Sequence, residues 1–233
     1  MSVKNQNSIV TDGLVFYVDA GNSNSYPGSG GTWSDLVGNN DGSFNNMDDI
    51  NNPSNNYDSG NGGSIVFDGT NDVVESSINP SVFSTGYDAF TVNYWINWTD
   101  YADFNSTSFD LRFGNTVQWN DYIHNSSGNR LYSYPGGAVQ ISNTSFSLGV
   151  WYNICFAVTQ GSGNTYKTYI NGQLDKTGGW NKNLGTPTQY RIGGNNASKR
   201  FNGKLPFIGY YNRALTSQEI LQNYNSLKSR FGL

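Results

Sequence analysis

The chain has 233 residues, of which 36% are hydrophobic, 15% aromatic and only 13% charged, with a net charge of −4. So many aromatics with so little charge exclude a disordered chain. Lys and Arg form no runs, which removes the electrostatic source for gripping a phosphate backbone and excludes nucleic acid as a direct partner.

The N-terminus, Met1 to Val10, is polar and lacks the apolar centre of a signal peptide. The expectation is a protein made in a reducing cytoplasm and not exported by the general secretory route. No apolar run approaches the length of a membrane span, so no membrane insertion is expected. Leu14 to Ala20 reads as the first strand. Gly21 to Gly31 and the longer Gly38 to Gly63, rich in Asn, Asp and Gly, read as loops. Ser64 to Asp68 resumes the strands and runs into the turn Gly69 to Asp72.

Phe90 to Trp98 is the clearest segment of period two. Phe90, Val92, Tyr94, Ile96 and Trp98 fall on one face, with Thr91, Asn93 and Asn97 on the other. Trp95 interrupts the polar face, so both faces are partly covered there. Val150 to Val158 is a second strand, with Ile154, Phe156 and Val158 on a shared face. It contains Cys155, the only cysteine, which excludes an intrachain disulfide and reads as a buried inert thiol. Thr165 to Ile170 leads into Asn171-Gly172, a strong hairpin signal. At the end of the chain Thr216 and Glu219 have the spacing of a capping box. Ile220, Leu221, Tyr224 and Leu227 follow at helical spacing, which predicts a helix over about 216–229 with one buried face. Many short strands with turn punctuation, no repeat and no linker predict one domain over 1–233. The expected fold is all-β: a two-sheet antiparallel β-sandwich of jelly-roll type with a short C-terminal helix.

Glycoside hydrolysis requires two carboxylates facing each other across the scissile bond. The only glutamates are Glu75 and Glu219; Glu219 belongs to the capping box, and Glu75 has no carboxylate two or four residues away. No enzyme is expected. His124 is the only histidine, so it makes no histidine metal cluster, and no G-x-S-x-G supports a triad; it reads as a structural or surface residue. Glycan binding asks for exposed aromatic platforms beside amides or carboxylates. Trp119, Tyr122, Tyr132, Tyr134 and Trp180, with Trp33, are the candidates and are read as loop residues. The alternative is that they seal the sandwich core or pack against a neighbouring subunit. Calcium takes oxygen ligands, for which Asp68 and Asp72 are the candidates; the alternative is that both shape the turn between them. No other cofactor is implied. The Asn-x-Ser/Thr sequons, as at Asn97 and Asn125, are expected by chance in a chain this rich in Asn, Ser and Thr.

Six runs occur in order: Phe67 to Asp72 (FDGTND), Phe90 to Trp95 (FTVNYW), Trp151 to Phe156, Tyr169 to Leu174 (YINGQL), Arg191 to Gly194 (RIGG) and Tyr211 to Leu215 (YNRAL). Together they resemble the laminin G-like domains of the concanavalin A-like lectin/glucanase superfamily, most of all the single-domain versions in tailed-phage structural proteins. The resemblance implies a concanavalin A-like sandwich. It also implies a structural calcium held partly by an Asp on the strand before YNRAL, where this chain has Pro206. Related glucanases carry two Glu close together on one strand, a pattern missing here. The function implied is a non-enzymatic phage virion structural protein, either a capsid decoration or a fibre or tail component, located in the virion. Its partners would be other virion proteins or itself as a homo-oligomer, with surface loops touching host or environmental glycans. The alternative is a bacterial extracellular carbohydrate-binding module or lectin.

Overall fold

A computed structural model describes residues 8–47, 56–77, 89–101, 106–113, 116–124, 127–134, 139–159, 165–180, 188–194 and 200–233. In chain order the strands are β1 (Leu14–Asp19), β2 (Thr32–Trp33), β3 (Gly42–Asn45), β4 (Tyr57–Asp58), β5 (Ser64–Asp68), β6 (Val73–Ser77), β7 (Ala89–Asp100) and β8 (Ser106–Phe113). They continue with β9 (Thr116–His124), β10 (Arg130–Tyr134), β11 (Val139–Gln140), β12 (Trp151–Thr159), β13 (Thr165–Ile170) and β14 (Gln173–Gly179). The last three are β15 (Gln189–Ile192), β16 (Asn202–Leu205) and β17 (Phe207–Tyr211), followed by helix α1 (Ser217–Leu227).

Among the described residues the strands form two antiparallel sheets. The first has nine strands in the order β14-β13-β12-β7-β16-β5-β4, with β17 also on β7 and β1 on β17. The second has eight, in the order β11-β10-β9-β8-β15-β6-β3-β2. Long β7 pairs with β12 along one edge and shares its other edge between β17 and β16. Pro206 separates those two strands. It has no N–H to give a ladder, and its carbonyl instead accepts the Ala20 N–H at 2.8 Å.

The alternation read from β7 is what builds the core. Phe90, Val92, Tyr94, Ile96 and Trp98 join Ile154, Phe156 and Val158 between the sheets, where Trp119, Ile123, Leu131, Tyr190 and Ile192 of the second sheet meet them. Two of the sequence motifs touch there: Gly193 lies so close to Phe67 that a Cβ would sit 2.3 Å from its ring, and its φ is +92°. Only glycine suits that position.

Cys155 points the other way, to the outer face of the first sheet, in a second cluster with Leu14, Tyr169, Tyr211, Leu215 and Ile220. Burial alone pushes its thiol well up, consistent with an inert side chain. Trp95, the interruption in β7, also faces outward and is covered by Phe231, with Tyr224 and Leu227 of the C-terminal segment.

Helix α1 begins at the predicted cap. The Thr216 hydroxyl accepts the Glu219 N–H at 3.3 Å, and a Glu219 oxygen accepts the Thr216 N–H at 2.8 Å. The same carboxylate takes both Arg213 terminal nitrogens, at 2.9 and 2.7 Å. The Arg213 guanidinium therefore holds the Glu219 pKa down to about 2. A depressed carboxylate contributes stability that is present above its ordinary value of 4.5 and lost as pH falls towards 2. Glu219→Gln is expected to flatten that acid limb in urea-unfolding curves taken across pH 2 to 5, and Glu219→Ala to cost about 1 kcal/mol at pH 7 through the lost cap. An unchanged acid limb in Glu219→Gln would count against the pairing.

Two expectations need correction. Gly38 to Gly63 is not one loop: β3 and β4 lie within it, because short polar segments with no period of their own can still pair with β6 and β5. Leu221 is exposed rather than buried. The place under the helix goes instead to Asn223, only 2% exposed. Its Oδ1 accepts the Val10 N–H at 2.8 Å and its Nδ2 donates to the Tyr211 hydroxyl at 3.0 Å. The Tyr211 hydroxyl in turn donates to the Val10 carbonyl at 3.0 Å, so Asn223 and Tyr211 together hold the buried Val10 backbone.

Candidate functional site

The two outer faces of the sandwich differ. That of the first sheet is covered by Ile9, Val10, α1 and the C-terminal segment. On the second sheet no helix packs against the outer face among the described residues. What that face presents follows from register, since residues paired across adjacent strands share a face.

One row crosses the sheet through Ser43, Glu75, Arg191, Asp110, Asn120 and Tyr134, on β3, β6, β15, β8, β9 and β10. Two residues on from Asn120 along β9 stands Tyr122, opposite Tyr132 of β10, which is opposite Gln140 of β11.

The face has two chemically distinct ends. At one, the Tyr122 and Tyr132 rings lie near-parallel with centroids 6.0 Å apart, and His124 lies 4.9 Å from Tyr132. Gln140 adds an amide whose Oε1 lies 3.4 Å from the Tyr132 hydroxyl. Tyr122 is only 6% exposed. Burial, with a smaller contribution from Tyr132, raises its phenol to about 12, so it stays a neutral hydrogen-bond donor. At the other end an open cleft of about 330 Å³ is lined by Ser43, Asn45, Glu75, Ser76 and Gln189. Glu75 keeps 29% of its side chain exposed and is held by Arg191 Nε at 2.7 Å. The Gln189 amide approaches the same oxygen at 3.4 Å. One end offers flat apolar surface, and the other offers hydroxyls, amides and a carboxylate.

The structure redistributes the predicted aromatic residues. Trp33, Trp119 and Trp180 are 0, 0 and 4% exposed, so they are not platforms. Trp119 and Trp180 pack edge-on to Phe90 and also meet Phe156 inside the sandwich. An indole is the largest apolar surface a chain can bury, and the space between two sheets is where it fits. Tyr122 and Tyr132 lie on the outer face, on strands and not in loops. Tyr134 ends β10 on that face, and its side chain lies outside the described residues.

His124, read from sequence as a structural or surface residue, joins the tyrosines. The alternation Asn120, Tyr122, His124 along β9 was the signal that groups them.

The calcium candidates take the turn-shaping alternative. Asp68 Oδ1 accepts the Thr70 N–H at 2.6 Å, and Asp72 Oδ2 accepts the Asp68 N–H at 2.9 Å. Among the described residues no three His, Cys, Asp or Glu side chains come together as a metal site. Pro206 supplies no side-chain oxygen. The one ligand that the resemblance placed before YNRAL is therefore missing.

Comparison with known proteins bears on fold and family. Domain 4 of AbnA, a GH43 extracellular arabinanase from Geobacillus stearothermophilus in complex with arabinotriose, superposes with a TM-score of 0.66 at 18% identity, covering 91% of this chain and 98% of that one. Trypanosoma rangeli sialidase in complex with sialic acid gives 0.69 at 16% identity over 96% of this chain, which spans only 34% of the sialidase. The binding domain of botulinum neurotoxin DC in complex with SialylT gives 0.64 at 16%, over 93% of this chain and 52% of that one. At such identities the likeness is one of fold. A search of curated proteins finds no match. A laminin G family model, described as the concanavalin A-like lectin/glucanases superfamily, matches residues 67–221. That is most of the chain, and it takes in the runs from FDGTND to YNRAL, so the chain belongs to the concanavalin A-like lectin/glucanases superfamily through its laminin G branch.

Proposed function

We propose that this domain is a non-enzymatic carbohydrate-binding module whose sugar site is the open face of the second sheet. The observation that carries the reading is the half-buried Tyr132 and His124 pair, backed by the buried Tyr122, on the outer face against which no helix packs among the described residues. Tyrosine rings offer sugars an apolar plane, and the neighbouring amides and hydroxyls can bond the sugar rim. The non-enzymatic part rests on the two glutamates. Glu75 is ion-paired with Arg191, and Glu219 is committed to the helix cap and Arg213.

A glycan array on the wild type tests this, repeated with Tyr132→Ala. The expected result is a defined set of bound glycans whose affinity falls about tenfold in the variant, the equivalent of ~1.4 kcal/mol, with the melting temperature little changed. A blank array, or binding indifferent to Tyr132→Ala, sinks the reading. Release of new reducing ends from a bound oligosaccharide would overturn the non-enzymatic part.

The setting we propose is a structural component of a tailed-phage particle, on the resemblance carried by the run ending in YNRAL. Quantitative mass spectrometry of purified particles tests that. Hundreds of copies per particle would mean shell decoration and a handful a tail or fibre part. Absence from particles would favour a bacterial extracellular module.

A further inference from the structure

We infer that the open face takes a linear oligosaccharide of three or more units laid across the strands, with one ring on the Tyr132 and His124 patch and a neutral ring in the Glu75 cleft. This rests on the carbohydrate-binding reading above.

The argument is one of placement. Glu75 on β6 and Asn120 on β9 belong to the same cross-strand row, with β15 and β8 between them. Three strand spacings separate them, about 14 Å. Tyr122 stands two residues along β9 from Asn120, and Tyr132 is one strand further out. A single sugar ring cannot touch both ends, whereas several linked rings can.

The two ends are also complementary in chemistry. The patch offers aromatic planes. The cleft offers hydroxyl and amide groups from Ser43, Asn45 and Gln189 around one carboxylate, and none of its lining residues is a cation. Arg191 beside it already holds Glu75. The half-buried carboxylate, already paired with Arg191, accepts from sugar hydroxyls, and no lining residue supplies a cation for an acidic sugar, which makes the cleft ring neutral. Two modest contacts on one ligand act with the effective concentration of a tether, so affinity should climb with ligand length until both ends are reached.

Titration calorimetry with cello-, xylo- and arabino-oligosaccharides of one to six units tests this. At least one ladder is expected to gain about tenfold or more in affinity between the monosaccharide and the longer members, then level off. Glu75→Gln should remove that gain and leave the short members binding as before. Asn45→Ala, at the cleft rim, provides a second variant should Glu75→Gln unfold. Tyr132→Ala should weaken every member.

Affinity independent of length overturns the inference, as does a length gain untouched by both cleft variants. Tighter binding of an oligogalacturonide ladder than of any neutral one also overturns it. No binding on any ladder overturns it too; a blank glycan array in addition would remove the carbohydrate-binding reading itself, whereas array hits without a length effect would leave that reading standing.

Discussion

Phe231→Ala is expected to cost about 3–5 kcal/mol of folding stability, the range for deleting a buried aromatic side chain. Phe231 is the third residue from the end of the chain, yet its ring stacks on Trp95 at 4.1 Å and meets Trp151 at 4.8 Å. Tyr224 of α1 also stacks on Trp95, at 5.7 Å. Trp95 is thereby closed off on the outer face of the first sheet. An isolated helix of 11 residues is marginal in water, so α1 depends on this docking. Removing the Phe231 ring opens a cavity against Trp95 and frees the end of the chain. Urea unfolding followed by tryptophan fluorescence should show the midpoint falling and native emission shifting to the red as Trp95 meets water. A loss under 1 kcal/mol, or unchanged native emission, would mean that the C-terminal ring is dispensable. Trp95→Ala should cost a similar amount, and the double variant less than the sum, because the two rings share one contact.

That cluster also marks where sequence reading stops. The outward Trp95 was legible, because it breaks an otherwise clean alternation in β7 and a tryptophan there demands cover. What covers it was not, since Phe231 lies far along the chain in a segment with no pattern linking it to β7. The capping box was legible because it is local: Thr216 and Glu219 are three residues apart and complete each other. Asn223 was invisible for the opposite reason, its partners being Val10 and Tyr211 on other elements.

The candidate site divides in the same way. Side-chain type picked out aromatics but did not separate Trp119 from Tyr122, which differ only in the face of the sheet they occupy. Placing β9 in register with β10 settles that. Glu75 read as a lone glutamate, because Arg191 reaches it only through the pairing of β6 with β15.

Arg230 is where the second large effect is expected. Its guanidinium donates to Asp19 Oδ1 at 2.8 Å, to the Asn61 carbonyl at 2.6 Å and to those of Gly62 and Gly63 at 3.2 and 2.6 Å. Gly62 and Gly63 have φ of +76° and +107°, and a Cβ on Gly21 would lie 2.5 Å from the guanidinium. The glycines bring the backbone in around the arginine fork.

Arg230→Met is expected to cost about 3 kcal/mol, since removing one partner of a largely buried pair leaves the other charge and the carbonyls unmet. Asp19 keeps the Tyr17 hydroxyl and the Gly21 N–H, which holds the cost near the low end of that class. Arg230→Lys restores charge but not the fork, so it should recover only part of the loss; full recovery would show that charge alone matters. This clamp closes the first sheet, while the proposed sugar face belongs to the second. Arg230→Met, held well below its own melting temperature, should therefore bind the array glycans like the wild type. Weakened binding in that folded variant would tie the two faces together and undo the assignment of the site to the second sheet alone.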